Sequence, residues 1–221
     1  MIELEAALQH ILATLPPPQA EPVRLTQAAG RVLAETVHSA IDLPPFDNSA
    51  MDGYAVRTAD VSAASETKPV RLQVCGRIAA GVNFSGELTA GQCVRLFTGS
   101  PLPGGADAVV MQEDARVVND QPETLWLSEA VKPWENVRLR GSDVKRSAVL
   151  AAAGSLLDPG KLSLLAATGV AELGVGQQPR VGLLATGSEL CEAGNVLQPG
   201  QIYESNRIAL AELIRRAGGL P

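Results

Sequence analysis

The residues best suited to chemistry lie in one short, tightly turned segment, residues 44–56. It holds two carboxylates, Asp47 and Asp52, with the amide of Asn48 and the hydroxyl of Ser49. Oxygen-rich sets of this kind suit a hard cation or hydrogen-bond donors on a ligand. The alternative is an Asx-rich turn, in which such side chains bond their own backbone. The types of these residues leave both interpretations open.

The first two-thirds of the chain predicts short helices and then a β region. Apolar residues at helical spacing predict a helix over residues 4–15, which three prolines end. Thr26 is expected to cap a second short helix that ends at Gly30, followed by extended residues 31–38 and an ordered loop over 42–53. Residues 61–127 predict a compact, mainly β lobe, a small barrel or sandwich. Its β-prone runs are 70–74, 93–97, 108–112 and 124–127.

The remaining third predicts the opening of an α/β unit. Residues 148–150 and 154–157 are expected to form a hairpin, and 161–168 a helix with Gly169 as its C-cap. The apolar run 181–185 is typical of a buried parallel strand, and a turn follows it. Ser205 is expected to open a helix over about 206–217. One strand and one helix cannot cover a parallel sheet, so the sequence predicts a chain truncated inside its last domain.

Composition excludes several classes of protein. The net charge is −6 and the basic residues are scattered, so no nucleic-acid-binding face is expected. The apolar stretches are interrupted, and a membrane span is not expected. Three cysteines without metal-ligand spacing predict a reducing compartment and buried, inert thiols. The first residues do not have the pattern of a secretory signal, which leaves the cytoplasm as the expected location.

Several ordered segments resemble one known family, the MoeA/gephyrin E-domain family of molybdopterin molybdenumtransferases. The hallmark is D-N-S-A-M-D-G-Y-A at residues 47–55. The other matching segments are L-F-T-G-S-P-L-P at 96–103, A-D-A-V-V-M-Q-E at 106–113, E-N-V-R at 135–138, G-S-D-V at 141–144, L-A-T-G-S-E-L at 184–190 and G-Q-I-Y-E-S-N-R at 200–207. The resemblance covers essentially the whole chain.

The resemblance implies a fold of mixed α and β class. It predicts a MoeA N-terminal-like elongated domain with a small β lobe, followed by the start of a MogA-like α/β domain. The N-terminal and linker domain would span residues 1–178, with the β lobe inserted at about 54–138. The truncated molybdopterin-binding α/β domain would span residues 179–221.

The resemblance also implies a reaction in molybdenum cofactor biosynthesis. Family members insert molybdate into adenylylated molybdopterin with Mg²⁺ and release AMP. They are homodimers whose cleft is shared between subunits, and a molybdopterin adenylyltransferase is a possible further partner. Whether molybdenum or tungsten is handled stays open, since some relatives use tungstate. Neither nucleic acid nor membrane is expected as a partner.

Residue by residue, the resemblance assigns catalytic roles to Asp52, Thr98, Asp143 and Glu189. It assigns cofactor binding to Ser49, Thr186 and Gly187. Because molybdate and the pterin phosphate are anions, carboxylates beside them need a cation between, and Asp52, Asp143 and Glu189 are candidate Mg²⁺ ligands. For each carboxylate the alternative is loop-stabilising hydrogen bonding. Ser142 and Ser188 stand where the family commonly has carboxylates, and no role is assigned to them.

Three functional hypotheses remain. The first is the transferase. The second is a gephyrin-like scaffold or dimerisation module without catalysis, which would not need to keep Asp52, Thr98, Asp143 and Glu189. The third is that the 221-residue chain is an incomplete, inactive fragment of such an enzyme, because the family's later ligand loops and its C-terminal β domain are not in this sequence.

Overall fold

Two compact units make up the chain. A computed structural model describes residues 2–79, 81–118 and 121–221. One unit combines the residues up to His38 with Val149–Pro221, and the other is Ser39–Ala148. We call them the terminal unit and the inserted unit. The domain boundaries expected at residues 178 and 179 stay a prediction.

The helices and strands are short and alternate along the chain. The α-helices are α1 (Leu4–Thr14), α2 (Thr58–Val61), α3 (Pro159–Ala167) and α4 (Asn206–Arg216), and one-turn 3-10 helices span Leu25–Gln27 and Gln112–Asp114. The strands are β1 (Ala20–Arg24), β2 (Val37–His38), β3 (Asn48–Ser49), β4 (Gly53–Val56), β5 (Val70–Ile78), β6 (Gln92–Leu96), β7 (Ala108–Met111), β8 (Ala115–Val118), β9 (Gln121–Leu127), β10 (Val137–Arg138), β11 (Val149–Ala151), β12 (Glu172–Gly176), β13 (Leu190–Cys191) and β14 (Ile202–Tyr203). The fold is therefore of mixed α and β class.

The inserted unit contains a six-stranded sheet in the order β7-β4-β6-β5-β9-β8. Among the described residues of this sheet, only the β5–β6 pairing is parallel. The edge strands β7 and β8 are joined by the single turn Gln112–Asp114, so the sheet has to curl to bring its edges together. Apolar residues pack in two clusters, with Leu72, Cys93 and Leu125 in one and Ile78, Val94 and Leu96 in the other. The predicted β-rich region over residues 61–127 is confirmed, although β4 and β8 were not predicted.

The terminal unit pairs distant segments of the chain. Strand β1 pairs antiparallel with β12, and β2 with β11. The predicted helix over 161–168 is present as α3, but it begins two residues earlier, at Pro159, where the Asp158 carboxylate accepts a 2.8 Å hydrogen bond from the Lys161 amide, a standard N-cap. The predicted hairpin of residues 148–150 and 154–157 is wrong. The extended segment 31–38 lies beside both strands and takes their hydrogen bonds, through β2 and through a bridge between Val32 and Leu156.

The predicted strand over residues 181–185 is also wrong. Leu184 is 88% exposed, and only the flanking Arg180 forms a bridge, with Leu220. A strand needs a neighbour that takes its hydrogen bonds along its length, and among the described residues only the Val181 amide finds one, donating to the Leu220 carbonyl at 2.8 Å. Helix α4 is confirmed. However, its first turn is bonded by the Glu204 carboxylate, which accepts from the Arg207 amide at 2.7 Å, and not by the Ser205 hydroxyl.

Two smaller predictions also need correction. The helix expected to end at Gly30 is only the one-turn 3-10 helix Leu25–Gln27. Cys93 is fully buried as predicted, but Cys75 is exposed, as are Gln73 and Arg77 at the alternate positions of β5 on either side of it. In the described parts of the chain, no helix is long and apolar enough to cross a bilayer.

Candidate functional site

The hallmark loop is held from several sides by the other recognised segments of the inserted unit. Strand β3 pairs with β10, so that Ser49 lies opposite Val137. The Ser49 amide donates to the carbonyl of Ser100 at 3.0 Å, and the Gly99 amide donates to the carbonyl of Ser49 at 2.8 Å. The hallmark loop, residues 47–55, is therefore contacted by two segments that are distant from it in sequence, 96–103 and 135–138.

Two residues show why the local sequence is so restricted. A Cβ atom at Gly53 would overlap the carbonyl oxygen of Val110, because β4 and β7 lie close together there. Asn136 has a φ of 55°, in the left-handed region that asparagine tolerates. Its side-chain amide donates to the carbonyl of Val109 at 2.9 Å, and its backbone carbonyl accepts from the Ala50 amide at 2.9 Å. Asn136 therefore ties the loop to β7.

Asp52 and Thr98 are brought into direct contact. The backbone amide and the hydroxyl of Thr98 both donate to Oδ1 of Asp52, each at 2.8 Å. Thr98 is exposed and Asp52 is partly exposed, so the pair lies at the surface of the unit. Oδ2 of Asp52 has no hydrogen-bond donor among the described residues, which leaves it available to a ligand.

Hydrogen bonding keeps Asp52 ionised. The amide of Thr98, then its hydroxyl, hold the pKa of this carboxyl below its ordinary value, and the positive charge of Arg95 acts in the same direction. Hydrogen bonds to the charged form favour that form. Asp52 is therefore a charged group with a fixed orientation.

Arg95 was not identified from the sequence, although it contacts residues on both sides of the Asp52–Thr98 pair. Its guanidinium donates to Gly53 O at 3.0 Å and to the side-chain oxygen of Gln112, and lies over the rings of Tyr54 and Phe97. The available signal was a charged residue in the otherwise apolar run that leads into Thr98.

Asp143 has a different environment. Its Oδ2 accepts a 2.6 Å hydrogen bond from Arg138, in an exposed ion pair, and its Oδ1 lies 3.3 Å from the hydroxyl of Ser142. Two other carboxylates of the region stabilise loops. Asp42 accepts from Arg140 and from the Arg146 amide, and Asp47 accepts from the Arg140 amide. Asp42 and Asp47 therefore act as hydrogen-bond acceptors that stabilise loops.

Ser49 is fully buried and its hydroxyl donates to the carbonyl of Met51 at 2.5 Å. The hydroxyl is thus used within the loop. Its predicted contact with a cofactor stays a prediction, which would require the hydroxyl to change partner.

The other predicted residues lie in the terminal unit. Thr186, Gly187 and Glu189 are exposed, and the carboxylate of Glu189 folds back over Gly187, where a Cβ atom would collide with it. The carbonyl of Glu189 accepts from the Ile202 amide at 2.8 Å, beside the parallel pair β13–β14. Thr186 lines a pocket of about 320 Å³ with residues of the 200–207 segment. The last two recognised segments therefore meet each other in this unit.

The predicted site residues thus form one close pair, Asp52 with Thr98, and separate positions elsewhere. Among residues 2–79, 81–118 and 121–221, no group of three or more acidic, histidine or cysteine side chains could hold a metal ion. The predicted Mg²⁺ set of Asp52, Asp143 and Glu189 stays a prediction.

Comparison with known proteins agrees with the arrangement of these segments. The sequence model of the MoeA N-terminal region (domain I and II) matches residues 2–169. The chain is 42% identical over 217 residues to the molybdopterin molybdenumtransferase of Haemophilus influenzae, covering 98% of this chain and 52% of that protein. It is 34% identical over 221 residues to the enzyme of the same name from Bacillus subtilis, of which it covers 51%. The chain thus spans about half the length of these relatives.

A solved structure gives the same result for the fold. The crystal structure of the molybdopterin biosynthesis MoeA protein from Pyrococcus horikosii superposes with a TM-score of 0.87 at 37% identity, covering 99% of this chain and 55% of that one. Because the family model matches more than half of the chain, and the segments it includes meet around one loop, the chain belongs to the MoeA family.

Proposed function

We propose that the protein containing this chain inserts molybdenum into molybdopterin, as a molybdopterin molybdenumtransferase in molybdenum cofactor biosynthesis. The observation that carries the proposal is the Asp52–Thr98 pair, in which two hydrogen bonds fix an ionised carboxylate within the family's hallmark loop. A scaffold would not need a carboxylate in this state at the surface. The relatives with this name supply the reaction class.

The proposed substrates are molybdate and adenylylated molybdopterin, with Mg²⁺ as cofactor and AMP as the second product. Both substrates are anions, and an ionised Asp52 would repel them without a cation between. Mg²⁺ is usually bound by one or two carboxylates, with water and substrate phosphates as the other ligands. Oδ2 of Asp52 fits the role of a single carboxylate ligand.

At this site Thr98 would orient the carboxylate of Asp52, and Asp52 would supply the negative charge that binds the cation. Thr98 uses its amide and its hydroxyl on Oδ1, so the carboxylate cannot rotate without losing both bonds. The Thr98 hydroxyl hydrogen therefore serves Asp52 and is not free for an oxyanion. Asp143 would bind a metal through Oδ1, since its Oδ2 accepts from Arg138 and its Oδ1 has only the 3.3 Å contact with the Ser142 hydroxyl.

The rest of the proposal concerns assembly and place. We propose a cytoplasmic homodimer whose cleft is shared between subunits, with Glu189, Thr186 and Gly187 contributing to the pterin-binding side. The pocket lined by Thr186 and residues 202–207 supports this assignment. A molybdopterin adenylyltransferase, which would supply the adenylylated substrate, is the proposed further partner.

The test is a reconstitution with the natural full-length protein. Adenylylated molybdopterin and molybdate are added with Mg²⁺ or with EDTA, and AMP and molybdenum cofactor are measured. We expect both products in equal amounts and only with Mg²⁺. If neither product appears although the protein binds partner proteins, the scaffold hypothesis replaces the transferase.

A further inference from the structure

The region behind the Asp52–Thr98 pair is organised by one arginine. Arg95 lies on β6, an interior strand of the sheet, opposite Tyr54 of β4 on one side and Arg77 of β5 on the other. It is partly buried. Like charges directly opposite each other on neighbouring strands are unfavourable, so Arg95 and Arg77 need other contacts to stabilise them.

The contacts of Arg95 reach both segments that form the pair. On the side of Asp52, Nη1 donates to the carbonyl of Gly53 at 3.0 Å and the guanidinium lies 5.0 Å from the centre of the Tyr54 ring. On the side of Thr98, it lies 5.1 Å from the centre of the Phe97 ring. Gly53 follows Asp52 directly, and Phe97 directly precedes Thr98.

A third contact closes the connection. The other guanidinium nitrogen, Nη2, donates to the side-chain oxygen of Gln112. The backbone amide of Gln112 donates to the carbonyl of Asp52 at 3.0 Å. A planar guanidinium with several fixed donors and two stacking faces can make all these contacts at once, whereas an ammonium group cannot.

We propose that Arg95 is a positioning residue that holds the Asp52–Thr98 pair in its active geometry by bridging the two segments from behind. Its two hydrogen bonds are directed to Gly53 and Gln112, and neither of them reaches the carboxylate of Asp52 or the hydroxyl of Thr98, so we assign it a role through these residues and not on the reacting atoms. For its effect on catalysis, this inference rests on the proposed function.

Arg77 provides a matched control. It lies on the neighbouring strand opposite Arg95 and 4.8 Å from the centre of the same Phe97 ring. It has no hydrogen bond or ion pair with a described residue. Arg77→Gln therefore removes the same charge from the same face and leaves the bridge to Asp52 intact.

The first readout is structural and needs no substrate. The amide proton of Thr98 is followed by NMR for its chemical shift and exchange rate in Arg95→Gln, Arg95→Lys and Arg77→Gln, with the Leu125 amide as reference for the sheet. We expect Arg95→Gln to speed exchange at Thr98 by about tenfold or more and to leave Leu125 unchanged. We expect Arg95→Lys to be intermediate and Arg77→Gln to match the wild type.

The second readout is kinetic, on the natural full-length protein. We expect Arg95→Gln to lower kcat by roughly 10- to 100-fold with little change in KM, as for groups that orient a functional side chain. In an Asp52→Asn background the same substitution should cause no further loss. If Arg95→Gln does not fold, Arg95→Lys carries the comparison.

The inference is overturned if Arg95 and Arg77 variants show the same Thr98 exchange, or if Arg95→Gln lowers activity equally with and without Asp52. A selective effect on the Thr98 amide in a protein without transferase activity would support the positioning role and count against the proposed function alone.

Discussion

Thr98 directs two donors, its amide and its hydroxyl, to the same oxygen of Asp52, each at 2.8 Å. The two residues are 46 positions apart and meet because β4 and β6 pair, with Gly53 opposite Leu96. One oxygen of the carboxylate is thereby fixed, and the other remains available.

The two donors of Thr98 can be separated by substitution. Thr98→Val keeps the amide and the shape of the side chain but removes the hydroxyl, so one of two bonds to Asp52 is lost. We expect the rate of molybdenum insertion to fall about tenfold, the lower end for a group that orients a ligand. Thr98→Ser, which restores the hydroxyl, should recover most of the rate. Equal rates for Val and Ser variants would show that the hydroxyl has no role.

A different carboxylate predicts how the inserted unit responds to acid. The backbone amide of Arg146, and then the side chain of Arg140, hold the pKa of Asp42 below its ordinary value of 3.8. Because the native pKa is lowered, this group stabilises the fold above its ordinary pKa. The contribution is lost as the pH falls through the native value.

We therefore expect Asp42→Asn to be less stable than the wild type in urea unfolding at pH 7. The difference should shrink as the pH falls below the ordinary pKa of 3.8 and then through the lowered native value, where the wild-type carboxyl is also protonated. Asp114→Asn, at an exposed position on a 3-10 helix, is the matched control and should change little at either pH. A difference for Asp42→Asn that stays constant down to pH 2 would contradict the linkage.

The cysteines should differ in reactivity. Burial raises the pKa of Cys93 to about 12, whereas Cys75, whose pKa is also raised by burial, is exposed. At pH 8 the thiolate fraction of Cys93 is on the order of 10⁻⁴, and the thiolate is the reactive form. We expect iodoacetamide to label Cys75 in the native protein and Cys93 only after unfolding, as measured by peptide mass spectrometry. Rapid labelling of Cys93 in the native state would mean that this strand is not buried.

The sequence predicted the segments of the site better than their contacts. Asp52 and Thr98 could be named from the hallmark segments, but their contact depends on β4, four residues that read as part of a loop. Arg95 was missed because its role depends on partners from three strands or turns, and no local pattern contains them.

The wrong strand at residues 181–185 has a related cause. Its composition is that of a buried parallel strand, but composition does not supply a neighbour to accept its hydrogen bonds. Conversely, β13 and β14 are two residues each, too short for a strand pattern in the sequence, and form because they lie side by side in the terminal unit. Helices α1, α3 and α4 were predicted well because helical hydrogen bonds are local.

The specific activity of Asp52→Asn tests the account most directly. This substitution keeps the size of the side chain and removes the charge, and Asp114→Asn is the control for loss of one exposed carboxylate. Molybdenum cofactor formation and melting temperature are measured together on the natural full-length protein. We predict that Asp52→Asn lowers insertion by more than about 100-fold, beyond the usual effect of an orienting group, with a melting temperature near that of Asp114→Asn. Insertion at the wild-type rate in Asp52→Asn would contradict the account.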